Sequence, residues 1–226
     1  MSQWKQVPTE WQDLMHDLPN DIWQKINLNI LSDKEKGLDI YPKDIFNALK
    51  LVKPNEVKVV ILGQDPYHNI INHIPQAHGL AFSVPKGLPI PPSLQNIDKE
   101  LYQSLNIPIP QHGCLENWTT QGVLLLNSIL TVIIHQPASH ANIGWQEFTD
   151  FLLKKLSVQY SNIVWMLWGK YAQNKQQNID EKTHLILKAP HPSPLSAHRG
   201  FIGCGHFKKC NEYLSLWGKQ AIDWHR

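Results

Sequence analysis

Two polar residues stand in backbone settings that would hold a reactive side chain in a fixed direction. Asp65 precedes a proline in the segment Gly63-Gln64-Asp65-Pro66-Tyr67-His68, and His191 stands between two prolines. Proline fixes its own φ and restricts the residue before it, so both side chains are expected on rigid turns. A fixed carboxylate can stabilise positive charge and orient or deprotonate a water, and an imidazole can donate to a developing anion. Taken singly, an Asp-Pro more often caps a turn or helix, and a loop histidine is more often an ordinary surface residue.

Four short apolar segments are predicted to be the buried strands that position these turns: Val57–Leu62, Val123–Leu126, Ile163–Trp168 and His184–Leu187. Stretches with helical texture lie between them: Ser93–Leu105, Trp145–Val158 and Tyr171–Asn178. Strands that are apolar throughout indicate a sheet covered on both faces, and the intervening stretches are long enough for right-handed crossovers. The predicted fold class is therefore α/β, a single domain over residues 1–226 with a central four-stranded parallel twisted sheet flanked by helices.

Each predicted strand runs into a segment that carries unusual side chains. The first leads into the Asp65 turn, the second into Asn127-Ser128, the third into Trp168-Gly169-Lys170, and the fourth into the prolines around His191. Ligands of parallel sheets bind at the carboxyl ends of the strands. We therefore expect a carboxylate, an amide, an imidazole and aromatic rings to meet on one rim.

Five sequence blocks, in this order along the chain, resemble those of the family 1 uracil-DNA glycosylases, which remove uracil from DNA. They span about residues 60–207, and the first 50 residues are uninformative. The blocks are Gly63-Gln64-Asp65-Pro66-Tyr67-His68, Ala77-His78-Gly79-Leu80-Ala81-Phe82-Ser83-Val84, Pro89-Ile90-Pro91-Pro92-Ser93-Leu94, Leu124-Leu125-Leu126-Asn127 and His191-Pro192-Ser193-Pro194-Leu195-Ser196-Ala197.

The resemblance implies an enzyme that needs no cofactor and no metal and that acts as a monomer. It would hydrolyse the N-glycosidic bond of uracil in single- and double-stranded DNA, release free uracil and leave an abasic site, the first step of base excision repair. By the same resemblance, Asp65 stabilises the cationic sugar and activates the water. His191 then donates a hydrogen bond to O2 of the leaving uracil.

Four residues match the family's uracil pocket. The Asn127 amide can donate to O4 and accept from N3–H, a pairing that cytosine would frustrate. By resemblance, the ring of Tyr67 fills the space beside C5 and excludes the methyl group of thymine, and Phe82 stacks on the base. Gln64 is expected to shape the pocket through its backbone. For either aromatic residue alone, simple packing in the core would be the more common explanation.

A base within a duplex must be extruded before it can enter such a pocket. Leu195, an apolar residue in a proline- and serine-rich loop, is the expected wedge in the minor groove. Ser93, Ser193 and the Gly169 loop are expected to hold the flanking phosphates. The chain departs from the family at Lys170, where serine is common, and at residues 69–76, eight residues where the family usually has four of Gly-Pro-x-Gln type.

Composition adds limits on the class of protein. The net charge is only +2, but residues 182–226 hold seven basic and two acidic residues, so an anion-binding surface should include this region. The longest apolar runs are far too short for a membrane span, and Met1–Gln6 resembles neither a signal nor a transit peptide, so no membrane association and a cytoplasmic location are expected. Three cysteines without Cys-x-x-Cys spacing are expected to be reduced.

Two other functions are weighed against this one. A metal-dependent hydrolase could draw ligands from Asp65, His68, His73, His78 and His112, or from Cys204, His206 and Cys210, but the spacings match no metal signature. A catalytically inactive DNA-binding protein on the same fold would be expected to lack Asp65 or His191, and both are present. Protein inhibitors of uracil-DNA glycosylases are further partners that the resemblance implies.

Overall fold

The computed structural model describes residues 7–226, so Met1–Gln6, on which the expectation about a targeting peptide rests, lies outside it. The described helices are α1 (Thr9–Met15), α2 (Asn20–Glu35), α3 (Asn47–Leu51), α4 (Pro92–Leu105), α5 (Glu116–Thr119), α6 (Trp145–Gln159), α7 (Gly169–Gln173) and α8 (His206–Leu216), with 3-10 turns at Pro54–Glu56, Asn174–Asn178 and Ala197–Arg199. The described strands are β1 (Ile40–Tyr41), β2 (Val59–Gly63), β3 (Ile70–Ile71), β4 (Ile74–Pro75), β5 (Val123–Asn127), β6 (Val132–Ile133), β7 (Val164–Trp168) and β8 (Leu185–Ala189).

The four predicted strands are β2, β5, β7 and β8, and they form one parallel sheet in the order β5-β2-β7-β8. All residues of β2, β5 and β7 are buried, as their apolar composition predicts. The prediction began early at three strands, by two residues at Val57 and by one residue at Ile163 and at His184. Val57 closes the preceding 3-10 turn, and the His184 side chain bonds Ser157 and Ile163. The predicted α/β class with a four-stranded parallel sheet is confirmed.

Helices flank the sheet, and two aromatic clusters fill the space around it. Helices α1 and α2 pack against α6, and α4 packs against α8. One cluster joins α2 to α6, with ring centroids 5.6–6.5 Å apart, and contains Trp23, Phe46, Trp145 and Phe148. The other contains Trp118, Trp168, Phe201, Phe207 and Trp224. Large buried rings dominate core energetics, so these clusters hold the helices on the sheet. Within residues 7–226, no helix combines the length and the apolar character that a membrane crossing requires.

The helix predicted over Tyr171–Asn178 differs in the structure. Helix α7 begins earlier, at Gly169, and after Gln173 the chain continues as a 3-10 turn. Side-chain bonds explain the change, because the Gln173 amide donates to the Ala189 carbonyl at 2.9 Å and Lys175 reaches Asp150 at 2.8 Å. Tertiary partners therefore overrode the local helical preference here.

Candidate active site

A cavity of about 230 Å³ opens at the carboxyl end of the sheet. Seven of the predicted site residues line it: Gln64, Asp65, Tyr67, Phe82, Ser93, Asn127 and His191. Gly169 and Lys170 line a smaller neighbouring cavity of about 180 Å³ that also includes Gln64 and His191. The last two, Ser193 and Leu195, lie in the loop that follows His191. The convergence follows from the topology, because the ends of parallel strands share one edge of the sheet.

A backbone amide fixes the carboxylate of Asp65. The Ala138 N–H donates to Asp65 Oδ2 at 3.0 Å, and Ala138 adopts the left-handed conformation with φ +58°. The same loop is tied to the Asp65 turn by the His135 N–H, which donates to the His68 carbonyl at 2.8 Å. Among the described residues, no other hydrogen bond reaches this carboxylate, so Oδ1 remains available to a substrate or a water. Sequence analysis missed Ala138, since its contribution comes from the main chain.

A buried histidine anchors the far end of that loop. His140 Nδ1 lies 2.7 Å from the Thr131 hydroxyl, and its Nε2 lies 3.2 Å from Asp33 Oδ2. Burial lowers the pKa of His140, although Asp33 opposes the shift. The neutral ring therefore donates from Nε2 to Asp33 and accepts at Nδ1, while the Trp145 indole N–H donates to Thr131 at 2.6 Å. The amide that orients Asp65 thus belongs to a loop that is hydrogen-bonded at both of its ends.

The His191 ring is neutral with its proton on Nε2. The Ser193 N–H lies 3.1 Å from His191 Nδ1, so this nitrogen is an acceptor. Burial lowers the pKa of His191 from its usual value of 6.5, which keeps the ring uncharged at neutral pH. The remaining nitrogen, Nε2, is therefore an N–H donor. A neutral donor of this kind can stabilise an anion that forms during bond cleavage.

The backbone of the His191 loop is supported from two sides. Gly169 has φ +84°, and a Cβ added to it would lie 2.8 Å from His191 Cβ. On the other side, the Asn96 amide of α4 donates to the Pro192 carbonyl at 2.8 Å. Gly169, which sequence analysis assigned to phosphate contact, thus packs against His191. Asn96 was missed, because a polar residue on a helix gives no sequence signal that it is buried.

The wall formed by Phe82 has a strained backbone. Phe82 has φ +63°, an uncommon conformation for a bulky residue that costs roughly 1–3 kcal/mol. Its ring centroid lies 5.6 Å from that of Trp168 and 5.8 Å from that of His191. The Ala81 N–H donates to the Leu125 carbonyl at 3.1 Å and ties this segment to β5. With this backbone conformation, the aromatic ring lies beside His191.

The Asn127 amide lies against Gly63, its pairing partner on β2. A Cβ at position 63 would lie within 2.1 Å of Asn127 Oδ1, so only glycine leaves room for this amide. The Asn127 side chain is 9% exposed and makes no hydrogen bond within residues 7–226, so its donor and acceptor are free for a ligand in the cavity it lines. Gln64 shapes the same region through its carbonyl, which accepts from the Ile129 N–H at 2.9 Å.

Tyr67 completes the cavity beside Phe82. Its hydroxyl lies 3.5 Å from the Phe82 carbonyl, and burial raises the pKa of Tyr67, so the phenol stays neutral. His68 also lines the cavity, and its Nδ1 is buried without a hydrogen-bond partner among the described residues. Sequence analysis considered His68 only as a metal ligand.

The residues predicted to contact DNA differ in exposure. Leu195 is 81% exposed, as an apolar wedge must be, although single exposed leucines such as Leu216 at 79% also occur elsewhere on the surface. Lys170 is exposed in the first turn of α7, and the half-buried Ser193 shares a hydrogen bond of 3.1 Å with Ser196.

Several of the residues weighed as metal ligands have other partners. His78 Nε2 lies 2.7 Å from the Ser83 hydroxyl, and His206 Nδ1 accepts from the Trp168 indole at 3.0 Å. Over residues 7–226, no three or more His, Cys, Asp or Glu side chains are grouped so that they could hold a metal ion.

Comparison with known proteins places these observations in a family context. Residues 49–215 match the family model described as the Uracil DNA glycosylase superfamily. The chain is 54% identical to a uracil-DNA glycosylase of Coxiella burnetii, covering 95% of this chain and 93% of that protein. It is 50% identical to one of Azotobacter vinelandii, with coverages of 97% and 94%.

Solved structures give the same result. The crystal structure of mimivirus uracil-DNA glycosylase is similar with a TM-score of 0.94 at 32% identity, covering 98% of this chain and 88% of that chain. A variant of mimivirus UNG in complex with UGI is similar at the same TM-score of 0.94 and the same 32% identity, with coverages of 99% and 91%.

Proposed function

Since this chain belongs to the uracil-DNA glycosylase superfamily and is an enzyme that excises uracil from DNA, we propose that Asp65 and His191 stabilise the two charges formed when the N-glycosidic bond breaks. Cleavage leaves positive charge on the sugar and negative charge on uracil. Asp65 stabilises the sugar cation and orients the attacking water, and the His191 Nε2–H donates to uracil O2. One observation carries this assignment. Both side chains line one cavity, and each is fixed by a backbone N–H, from Ala138 and from Ser193.

The cavity also explains how uracil is distinguished from other bases. Asn127 holds an unpaired donor and acceptor, which match O4 and N3–H of uracil but not the amine and bare N3 of cytosine. Tyr67 occupies the space that the methyl group of thymine would need, and Phe82 stacks on the base. Because Phe82 also contacts His191, the base is held beside the group that stabilises its charge.

We further propose that the enzyme extrudes uracil from both single- and double-stranded DNA. Leu195 fills the gap left in a duplex, and its 81% exposure supports this role. Ser93, Ser193 and Lys170 contact the flanking phosphates. Because residue 169 is a glycine, the backbone of its loop can approach a phosphate closely. Lys170 would act as a point charge where the family commonly has serine, with a steeper dependence on salt.

The same proposal includes a monomeric enzyme that acts in the cytoplasm without a cofactor. The mimivirus UNG structure in complex with UGI supports the idea that a protein inhibitor of this kind binds the present chain as well. A metal-dependent hydrolase and an inactive DNA-binding protein are not favoured, since curated relatives at 50–54% identity are uracil-DNA glycosylases.

The test uses a fluorescent oligonucleotide with a single uracil, incubated with the protein and then cleaved with alkali. Asp65→Asn and His191→Leu are each expected to lower kcat by about 10²–10⁴-fold while the melting temperature changes little. Asp13→Asn and His16→Leu, exposed positions at α1, serve as matched controls and are expected to retain full activity. Wild-type rates in the Asp65 and His191 variants would contradict the assigned roles.

A further inference from the structure

Residues 69–76 form a β-hairpin. The segment has eight residues where the family usually has four. Ile70 pairs with Pro75 and Ile71 with Ile74, and the Gln76 N–H donates to the Asn69 carbonyl at 3.0 Å. The two turn residues, Asn72 and His73, have φ +50° and +62°, the backbone of a two-residue primed turn that matches strand twist. The insertion is therefore an ordered element, which we call the rim hairpin.

The rim hairpin stands at the edge of the active-site cavity. The residues that precede and follow it, His68 and Ala77, both line the cavity. At its base, the His68 carbonyl accepts from the N–H of His135, which lies just after β6. The rim hairpin follows β2 and Leu195 follows β8, and β7 lies between these two strands in the sheet. The rim hairpin and Leu195 are thus separate elements at the carboxyl edge of the sheet.

The surface of the rim hairpin suits a nucleic acid strand. It contains no acidic residue, and Asn72, His73 and Ile74 are exposed at its tip. The amide and the imidazole can donate to phosphate oxygens, and Ile74, which is 42% exposed, can pack against a sugar or an unstacked base. The rim hairpin is continuous with the cavity wall through His68 and Ala77, so it lies next to the opening that a uracil-containing strand must reach.

We propose that the rim hairpin is an additional DNA-binding element that holds the uracil-containing strand at a part of the cavity rim separate from Leu195. The proposal rests on the excision of uracil and extends it. It assigns part of the affinity for the flanking nucleotides to residues outside the five family blocks. The contribution is made before cleavage, so it acts on KM and leaves kcat unchanged.

The test measures KM and kcat for single-stranded oligonucleotides in which the number of nucleotides on one side of uracil grows from one to six. The wild-type protein is compared with a protein in which residues 69–76 are replaced by Gly-Pro-Gly-Gln. When the flank on one side of uracil is lengthened, the KM of the wild type is expected to fall about three- to tenfold more than the KM of the shortened protein. A difference of this size corresponds to the free energy of a few exposed contacts. On the shortest substrate, the two proteins should have the same KM and kcat.

Point variants make the test independent of the loop replacement. His73→Ala and Ile74→Ser are expected to lose part of the same flank-dependent affinity. Val158→Ser, at a position 76% exposed near the end of α6 that leads to β7, is the matched control and should behave as wild type. Identical flank dependence in all proteins would overturn the proposal, and so would a loss of affinity that is the same at every length. If shortening the hairpin abolished self-association in gel filtration and left KM unchanged, the rim hairpin would bind a second copy of the chain and not DNA. The proposal would then be wrong. Absence of turnover by the wild type on every substrate would instead contradict uracil excision itself.

Discussion

Gly169→Ala should shift His191 while leaving the rest of the fold in place. Gly169 has φ +84°, where an L-residue costs roughly 1–2 kcal/mol, so some loss in the free energy of unfolding is expected whatever surrounds the new methyl group. The methyl carbon would also lie 2.8 Å from His191 Cβ, well inside ordinary contact near 3.4 Å. His191 must therefore move by roughly half an ångström away from Gly169.

Such a movement would displace the Nε2–H donor from the uracil oxygen to which it is proposed to donate. Misplacing a catalytic group by 1 Å can lower the rate by about 10²-fold, so we expect kcat to fall by about 10- to 100-fold. Single-turnover cleavage of the uracil oligonucleotide gives the rate, and urea denaturation gives the free energy of unfolding.

Gly37→Ala provides the matched control. Gly37 follows α2 with φ +75°, and a Cβ there would meet nothing within 4 Å. This variant should lose a similar free energy of unfolding but keep wild-type kcat. If Gly169→Ala also kept wild-type kcat while losing the same stability, contact with Gly169 would not be what positions His191.

Three other results are expected. Burial, together with nearby Lys209, lowers the pKa of His206 to about 4. As the pH falls, His206 is therefore protonated in the unfolded chain before it is protonated in the folded protein. The free energy of unfolding that depends on the neutral His206 ring is complete above pH 6.5. It decreases by roughly 3 kcal/mol as the pH falls towards 4. In His206→Gln, which can still accept from the Trp168 indole, urea denaturation should show a smaller decrease in the free energy of unfolding over the same pH range. Tyr67→Ala should release thymine from a thymine-containing oligonucleotide, and no detectable thymine would refute steric exclusion by this ring. Leu195→Ala should lower kcat/KM about tenfold on duplex DNA and less on single strands without changing the melting temperature, whereas equal losses on both substrates would contradict the wedge.

The sheet was predictable because its strands are apolar at every position and end in turn residues. The same segments predicted which loops would share a rim, and seven of the eleven predicted site residues line the main cavity. Helices α1 and α2 were not predicted. Helix α2 is buried only along one narrow stripe, at Trp23, Ile26 and Ile30, so its pattern is weak.

The supports of the site were invisible in the sequence because they depend on the path of the main chain. Ala138 acts through its N–H and a left-handed backbone, and alanine carries no signal for either. The contact between Gly169 and His191 joins two loops that follow neighbouring strands. The rim hairpin turns at Asn72-His73 without the glycine that usually marks a primed turn, so it could be recognised only as extra length.

The bond from Asn96 to the Pro192 carbonyl has a mechanical consequence. Ser93, expected to grip a phosphate, and Asn96 lie one turn apart on α4, so the gripping hydroxyl and the support of the His191 loop belong to one stiff rod. The phosphate contact proposed for Ser93 and the position of the His191 loop are therefore set by the orientation of one helix. A change that tilts α4 is expected to alter both together, whereas a change confined to the His191 loop would alter only one.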